Sequence, residues 1–110
     1  MKKPMLTALL LAAAAAPALA ADPLDLIRDK QCLACHSIDK DALAPSLRNI
    51  ATKFRRIKGA DQMLVETIAK GSALDPNGAH WGQMKMPGAG VRVPVNAAEA
   101  HQIADWILSL

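Results

Sequence analysis

Five consecutive residues, Cys32-Leu33-Ala34-Cys35-His36, constrain this chain more than any other stretch of it. They place two thiols and an imidazole within little more than one turn of backbone. A Cys-x-x-Cys pair can serve as a thioredoxin-like redox couple, as half of a zinc site, or as a short-loop disulfide. The first wants a βαβ context, and no strand pattern lies nearby. The second wants four protein ligands, and the chain has only these 2 cysteines. A histidine directly after the second cysteine argues against all three. The spacing is that of covalent haem attachment, in which both sulfurs reach the two vinyl groups of one porphyrin and the next side chain offers its imidazole to the iron. Such a site needs an oxidising compartment, a sixth ligand from elsewhere in the chain, and enough apolar residues to wrap the macrocycle.

The compartment is written at the start of the chain. Lys2 and Lys3 give a positive beginning, Leu6 to Ala16 an apolar run of mostly Leu and Ala, and Ala18-Leu19-Ala20 a small-x-small cleavage site. The run is too short and too early for a membrane span, and no stop-transfer pattern follows. The expectation is a secretory signal over 1–20, cleaved after Ala20, and a single domain over 21–110. That leaves 90 of the 110 residues, and takes away two of the 13 basic side chains, so 11 face 10 acidic ones. The net charge of +3 and pI near 9.1 therefore reflect the leader in large part, and nucleic acid is not an expected partner. A domain this small buries too little surface to be robust unaided, and a covalent haem would supply the missing core.

Along the rest of the chain the signals are helical. Asp22-Pro23 is an N-cap followed by proline at the first helical position, and the spacing of Leu24, Leu26 and Ile27 predicts a helix over about 23–32 that delivers the cysteines. Residues 38–43 read as a loop. Pro45-Ser46-Leu47 leads into a short helix, Leu47 to Lys53, with Leu47, Ile50, Ala51 and Phe54 on one face. The basic run Lys53-Phe54-Arg55-Arg56-Ile57-Lys58 ends at Gly59. Asp61 to Lys70 carries Leu64, Val65 and Ile68 at helical spacing, with Met63 expected in the packing and Gly71 as a left-handed C-terminal residue. Ser72 to Gly90 is irregular and rich in Gly and Pro, and holds Trp81, Met84 and Met86; irregular stretches this long in small domains are usually functional, here as haem coverage. Asn96 and Glu99 form a capping box for a last helix reaching about Ser109, with Ala100, Ile103, Ala104, Ile107 and Leu108 inward and Trp106 toward the first helix.

Taken together, Asp22-Pro23, the Cys-x-x-Cys-His motif, Pro45, Phe54, Lys70-Gly71-Ser72, Trp81-Gly82, Met86-Pro87 and Asp105-Trp106 resemble the small bacterial class I c-type cytochromes, over 22–109. The resemblance implies an all-α fold of about four to five helices around one haem c attached through Cys32 and Cys35, with the first and last helices crossing near it. It implies His36 as proximal iron ligand and Met86 as distal ligand. It also implies that the Pro45 carbonyl holds the other ring nitrogen of His36, and that the Trp81 indole N–H meets a haem propionate. The chain departs from the family in a longer loop, Ala73 to His80, and in Gln83 and Lys85, which stand where prolines are common.

His/Met ligation is the electron-transfer pattern, so the expected function is a one-electron carrier rather than an enzyme. It would be a periplasmic monomer, with a terminal oxidase, a nitrite reductase and a quinol-oxidising complex all compatible as partners. The alternatives are a vacant or weakly held sixth site, serving ligand binding or sensing, and a bis-histidine iron using His80. His101, early in the last helix, reads as surface. Among the methionines, Met84 and Met86 lie two residues apart, so an extended backbone aims them oppositely. Pro87 restrains Met86 and nothing comparable restrains Met84. The Lys53–Lys58 run, with Lys85, reads either as a rim that steers an acidic partner or as an ordinary solvated face.

Overall fold

The structure is a computed structural model that describes residues 2–3, 22–72 and 85–110. Within them the regular elements are helices: α1 (Pro23–Asp29), a short 3-10 turn (Cys32–Ala34), α2 (Leu47–Phe54), α3 (Ala60–Lys70) and α4 (Ala97–Leu108). No helix among the described residues is long and apolar enough to cross a membrane.

Helix starts follow their caps. The Asp22 carboxylate accepts from the Leu24 N–H at 3.0 Å, with Pro23 at the first position. Ser46 Oγ accepts from the Asn49 N–H at 3.0 Å. Asn96 and Glu99 form the full capping box, with bonds of 2.8 and 3.1 Å. α2 and α3 each run one residue beyond the expected span, to Phe54 and from Ala60.

Two expectations are corrected. The helix expected over 23–32 ends at Asp29, because Gln31 turns into the left-handed region, φ 58° and ψ 28°. The cysteines then start a turn of their own, in which the N–H groups of Cys35 and His36 both return to the Cys32 carbonyl, at 3.3 and 3.0 Å. No periodicity announces this break, since glutamine is not a usual left-handed residue. Met63 is also not in the packing: it is 41% exposed, and the inward face of α3 is Ala60, Leu64, Val65 and Ile68. Of the irregular stretch expected over 72–90, residues 73–84 lie outside the described residues; Ser72 and 85–90 carry no helix or strand.

α4 packs against α1, α2 and α3 and is the spine of the core. Ala100 and Ala104 are 0% exposed, small enough for neighbouring helices to approach, while Ile103 and Ile107 fill the gaps. α1 contributes one fully buried side chain, Ile27, worth about 1.5–3 kcal/mol on transfer from water. Trp106 is partly buried against the same core.

Polar contacts fasten α1 to α4. Lys30 Nζ lies 2.9 Å from Glu99 and donates to the Pro94 carbonyl at 3.1 Å. The Lys30 hydrogen bond, then the Asn96 N–H, hold the Glu99 carboxyl below the ordinary value of 4.5. A carboxyl depressed in the folded state adds stability that is complete above its ordinary value and disappears as pH falls through its lowered one. Urea midpoints should therefore fall on acidification below pH about 4.5, and Glu99→Gln should cost stability at neutral pH but little in strong acid. A Glu99→Gln deficit unchanged across that range would refute the linkage.

Candidate haem site

His36 leaves the 3-10 turn half-buried, with Nδ1 at 2.7 Å from the Pro45 carbonyl. A carbonyl only accepts, so Nδ1 carries the proton and donates, and the lone pair sits on Nε2. The expected contact between Pro45 and His36 is thus present, with a single tautomer defined.

The segment presenting Pro45 is braced along its length. Ala44 N–H donates to the Cys35 carbonyl at 3.1 Å, Leu47 N–H to Ser37 at 2.9 Å, and Arg48 N–H to Ile38 at 3.0 Å. Asp41 Oδ1 accepts from the Ser46 N–H at 2.7 Å and from Asn49 Nδ2 at 2.9 Å. These two bonds, that of the Ser46 N–H first, hold the Asp41 carboxyl below the ordinary aspartate value. Sequence reasoning passed over Asp41 as one polar residue of a loop; its only signal is that an acidic side chain precedes the cap of α2.

The other wall of the site is a pairing of Ser72 with Met86. Ser72 N–H donates to the Met86 carbonyl at 2.9 Å, and Met86 N–H donates to Ser72 Oγ at 2.8 Å. Ser72 is only 3% exposed. Gly71 makes this approach possible. Its φ is 78° as expected, but ψ is 179°, a region essentially restricted to glycine rather than the left-handed helical one. A Cβ built there would lie 2.6 Å from the Met86 carbonyl oxygen and 2.7 Å from the Pro87 carbonyl carbon. The sequence offered Lys70-Gly71-Ser72 as a motif without showing what it holds.

Between these walls lie two adjoining cavities of about 220 and 120 Å³. Cys35, His36, Ile50, Leu64, Thr67, Met86 and Pro87 border both. Cys32 borders the larger, and the buried side chains of Ile27, Leu47, Ile68, Val95, Ile103 and Ile107 make up the apolar part of its lining, with Arg92 also at its edge. Both thiols are free, Cys35 exposed and Cys32 half-buried. Burial pushes the Cys32 thiol up, against the opposing pull of Arg92 and Lys30. An apolar cleft bordered by two free thiols, an imidazole with an available Nε2 and a thioether has the donor set that a covalent haem requires. The residues present fit the group.

Trp81, Met84 and His80 fall outside the described residues. His101 is exposed on α4, as expected. In the basic run, Arg55 is exposed and donates to the Leu110 main-chain oxygen at 2.5 Å, while Lys53 Nζ lies 5.7 Å from the centroid of the Phe54 ring. Arg56 and Lys58 are exposed.

Helices closing on an apolar cleft, with the Cys-x-x-Cys-His turn on its wall, define a small class I c-type cytochrome, a class that carries one covalently attached haem c. The chain belongs to the cytochrome c family: the model described as Cytochrome c matches residues 25–110. It is similar to cytochrome c-551 of Stutzerimonas stutzeri, 38% identical over 112 residues that cover 100% of this chain and 99% of the relative. Cytochrome c-551 of Pseudomonas aeruginosa is 36% identical, covering 82% of this chain and 78% of its own. Among solved structures, cytochrome c552 of Nitrosomonas europaea superposes with a TM-score of 0.66 at 36% identity, covering 79% of this chain and 98% of that one.

Proposed function

We propose that this chain is a one-electron carrier, exported to the periplasm with a leader cleaved after Ala20, whose mature domain over 21–110 binds haem through Cys32 and Cys35 and ligates its iron with His36 and Met86. The haem supplies a single reversible electron at iron. The observation that carries the reading is the His36–Pro45 hydrogen bond: it commits Nδ1 as donor at 2.7 Å and leaves Nε2 as the only ring nitrogen able to ligate. Met86 supports it, since the residue borders the same cavities and is pinned at both its N–H and its carbonyl. His36 and Met86, held by the Pro45 carbonyl and by Ser72, would need little rearrangement as ligands when the iron changes charge, and this suits electron transfer rather than substrate turnover. Redox proteins of the periplasm are the partners, a terminal oxidase, a nitrite reductase or a quinol-oxidising complex among them.

The test separates the methionines. Oxidised protein should show the weak red absorption band of an iron–thioether bond. Met86→Ala should abolish it and lower the reduction potential by on the order of 0.1 V, within the ~0.8 V that axial ligands span. Met84→Ala should keep the band. The reverse pattern would move the ligand to Met84. A wild-type protein without the band would favour His80 or an open site.

A further inference from the structure

Met86 is held from one side by Ser72, and one residue further on the chain is held again, by a side chain that the electron-carrier reading does not use. Arg92 is half-buried in the segment between Pro87 and the α4 cap, and borders the larger cavity together with Met86, Pro87, Ile68 and Cys32. Among the described residues its guanidinium bonds main-chain carbonyls rather than a carboxylate. Nε donates to Pro87 at 2.6 Å, one terminal nitrogen to Val93 at 3.3 Å, and the other to Ile68. The Ile68 carbonyl is one of the last four of α3, which have no acceptor role left within the helix, and a cation there also meets the negative end of the helix dipole. Burial makes the charge harder to hold, yet a guanidinium keeps it. A desolvated cation bonded to two separate segments joins them firmly, because its planar fork fixes both directions at once.

We propose that Arg92 is a positioning residue for Met86: by joining the Pro87 carbonyl to the C-terminus of α3, it sets how firmly the Met86 side of the site resists displacement by an external ligand. The inference rests on Met86 being the sixth ligand. Ser72 fixes the Met86 backbone, and Arg92 fixes the residue after it, so displacing the thioether by moving the Met86 backbone requires that the Pro87 segment lift from α3. Removing a charge-assisted bond of this kind is worth about 1.5–3 kcal/mol, which corresponds to roughly a 10- to 100-fold change in the equilibrium it restrains.

Imidazole titration of the oxidised holoprotein, followed by loss of the red band, measures that equilibrium. Arg92→Met should bind imidazole at least about 10-fold more tightly than wild type. Arg92→Lys keeps the charge but not the fork, and should resemble Arg92→Met. Asn96→Ala removes the cap of α4 at the far end of the same segment; it should lower global stability yet leave imidazole affinity unchanged. If Arg92→Lys matches wild type, or Asn96→Ala tightens imidazole as much as Arg92→Met, the positioning role is overturned. Met86→Ala distinguishes the two readings. Should it bind imidazole no better than wild type, the assignment of Met86 itself fails; should it bind tightly while the Arg92 variants stay at wild-type affinity, Arg92 alone is misassigned.

Discussion

Gly71→Ala should remove the red iron–thioether band and lower the thermal midpoint of the holoprotein by roughly 10 °C. Two costs combine at this residue. A non-glycine residue at φ 78° and ψ 179° is strained by about 1–3 kcal/mol. The new methyl would also meet main-chain atoms of 86–88 at 2.6, 2.7 and 2.8 Å, and these have no side-chain flexibility with which to yield. The two backbones approach closely from the other side as well, since a Cβ on Gly88 would sit 2.8 Å from the Lys70 carbonyl oxygen. Relief requires that the Met86-Pro87 segment move away from α3, taking its bonds to Ser72 with it. Gly59→Ala is the matched control. Gly59 also has a positive φ, 77°, but a Cβ there meets nothing within 4 Å. It should lose stability through strain alone and keep the band. Equal spectra for the two variants would show that the contact at Gly71 does not govern the site.

Replacing both Cys32 and Cys35 by alanine should give a protein that retains no haem on denaturing gels and shows no cooperative unfolding. The reason lies in which residues border the cleft. Ile27, Leu47, Ile68, Val95, Ile103 and Ile107 are at once lining of the larger cavity and members of the buried core. The core is therefore built around the cleft rather than beside it. Were the cleft of about 220 Å³ wholly enclosed, leaving it unfilled would cost about 5 kcal/mol at ~24 cal/mol per Å³, an upper bound comparable with the whole net stability of a small domain. Collapse is the alternative, and Phe54, Trp81 and Trp106 are the only aromatic side chains available to fill the space. A cooperative, native-like transition in the haem-free variant would contradict this account.

The parts of this structure that were legible in the amino-acid sequence are those decided within a few residues. Asp22-Pro23 and Asn96 with Glu99 cap their helices through bonds spanning two or three positions, so residue type and spacing suffice. The Cys-x-x-Cys-His spacing is likewise local, and so is the apolar face of α4. The left-handed Gln31 is local too, but no side-chain preference marks it, and the helical spacing therefore runs past the true end of the first helix.

Tertiary structure decided the rest, because those contacts join residues far apart in the chain. Met63 and Leu64 are adjacent apolar residues of α3, and the packing of that helix leaves Leu64 5% and Met63 41% exposed. Ser72 and Met86 are separated by 14 positions, Arg92 and Ile68 by 24. Their pairing depends on the path of the segment that returns to α3, a path open only because Gly71 and Gly88 carry no Cβ at the point of contact. Local propensity determined that the chain is helical and carries the attachment motif for a haem. The packing of two backbones past paired glycines determined how the Met86 backbone is paired with Ser72 at the edge of the cleft.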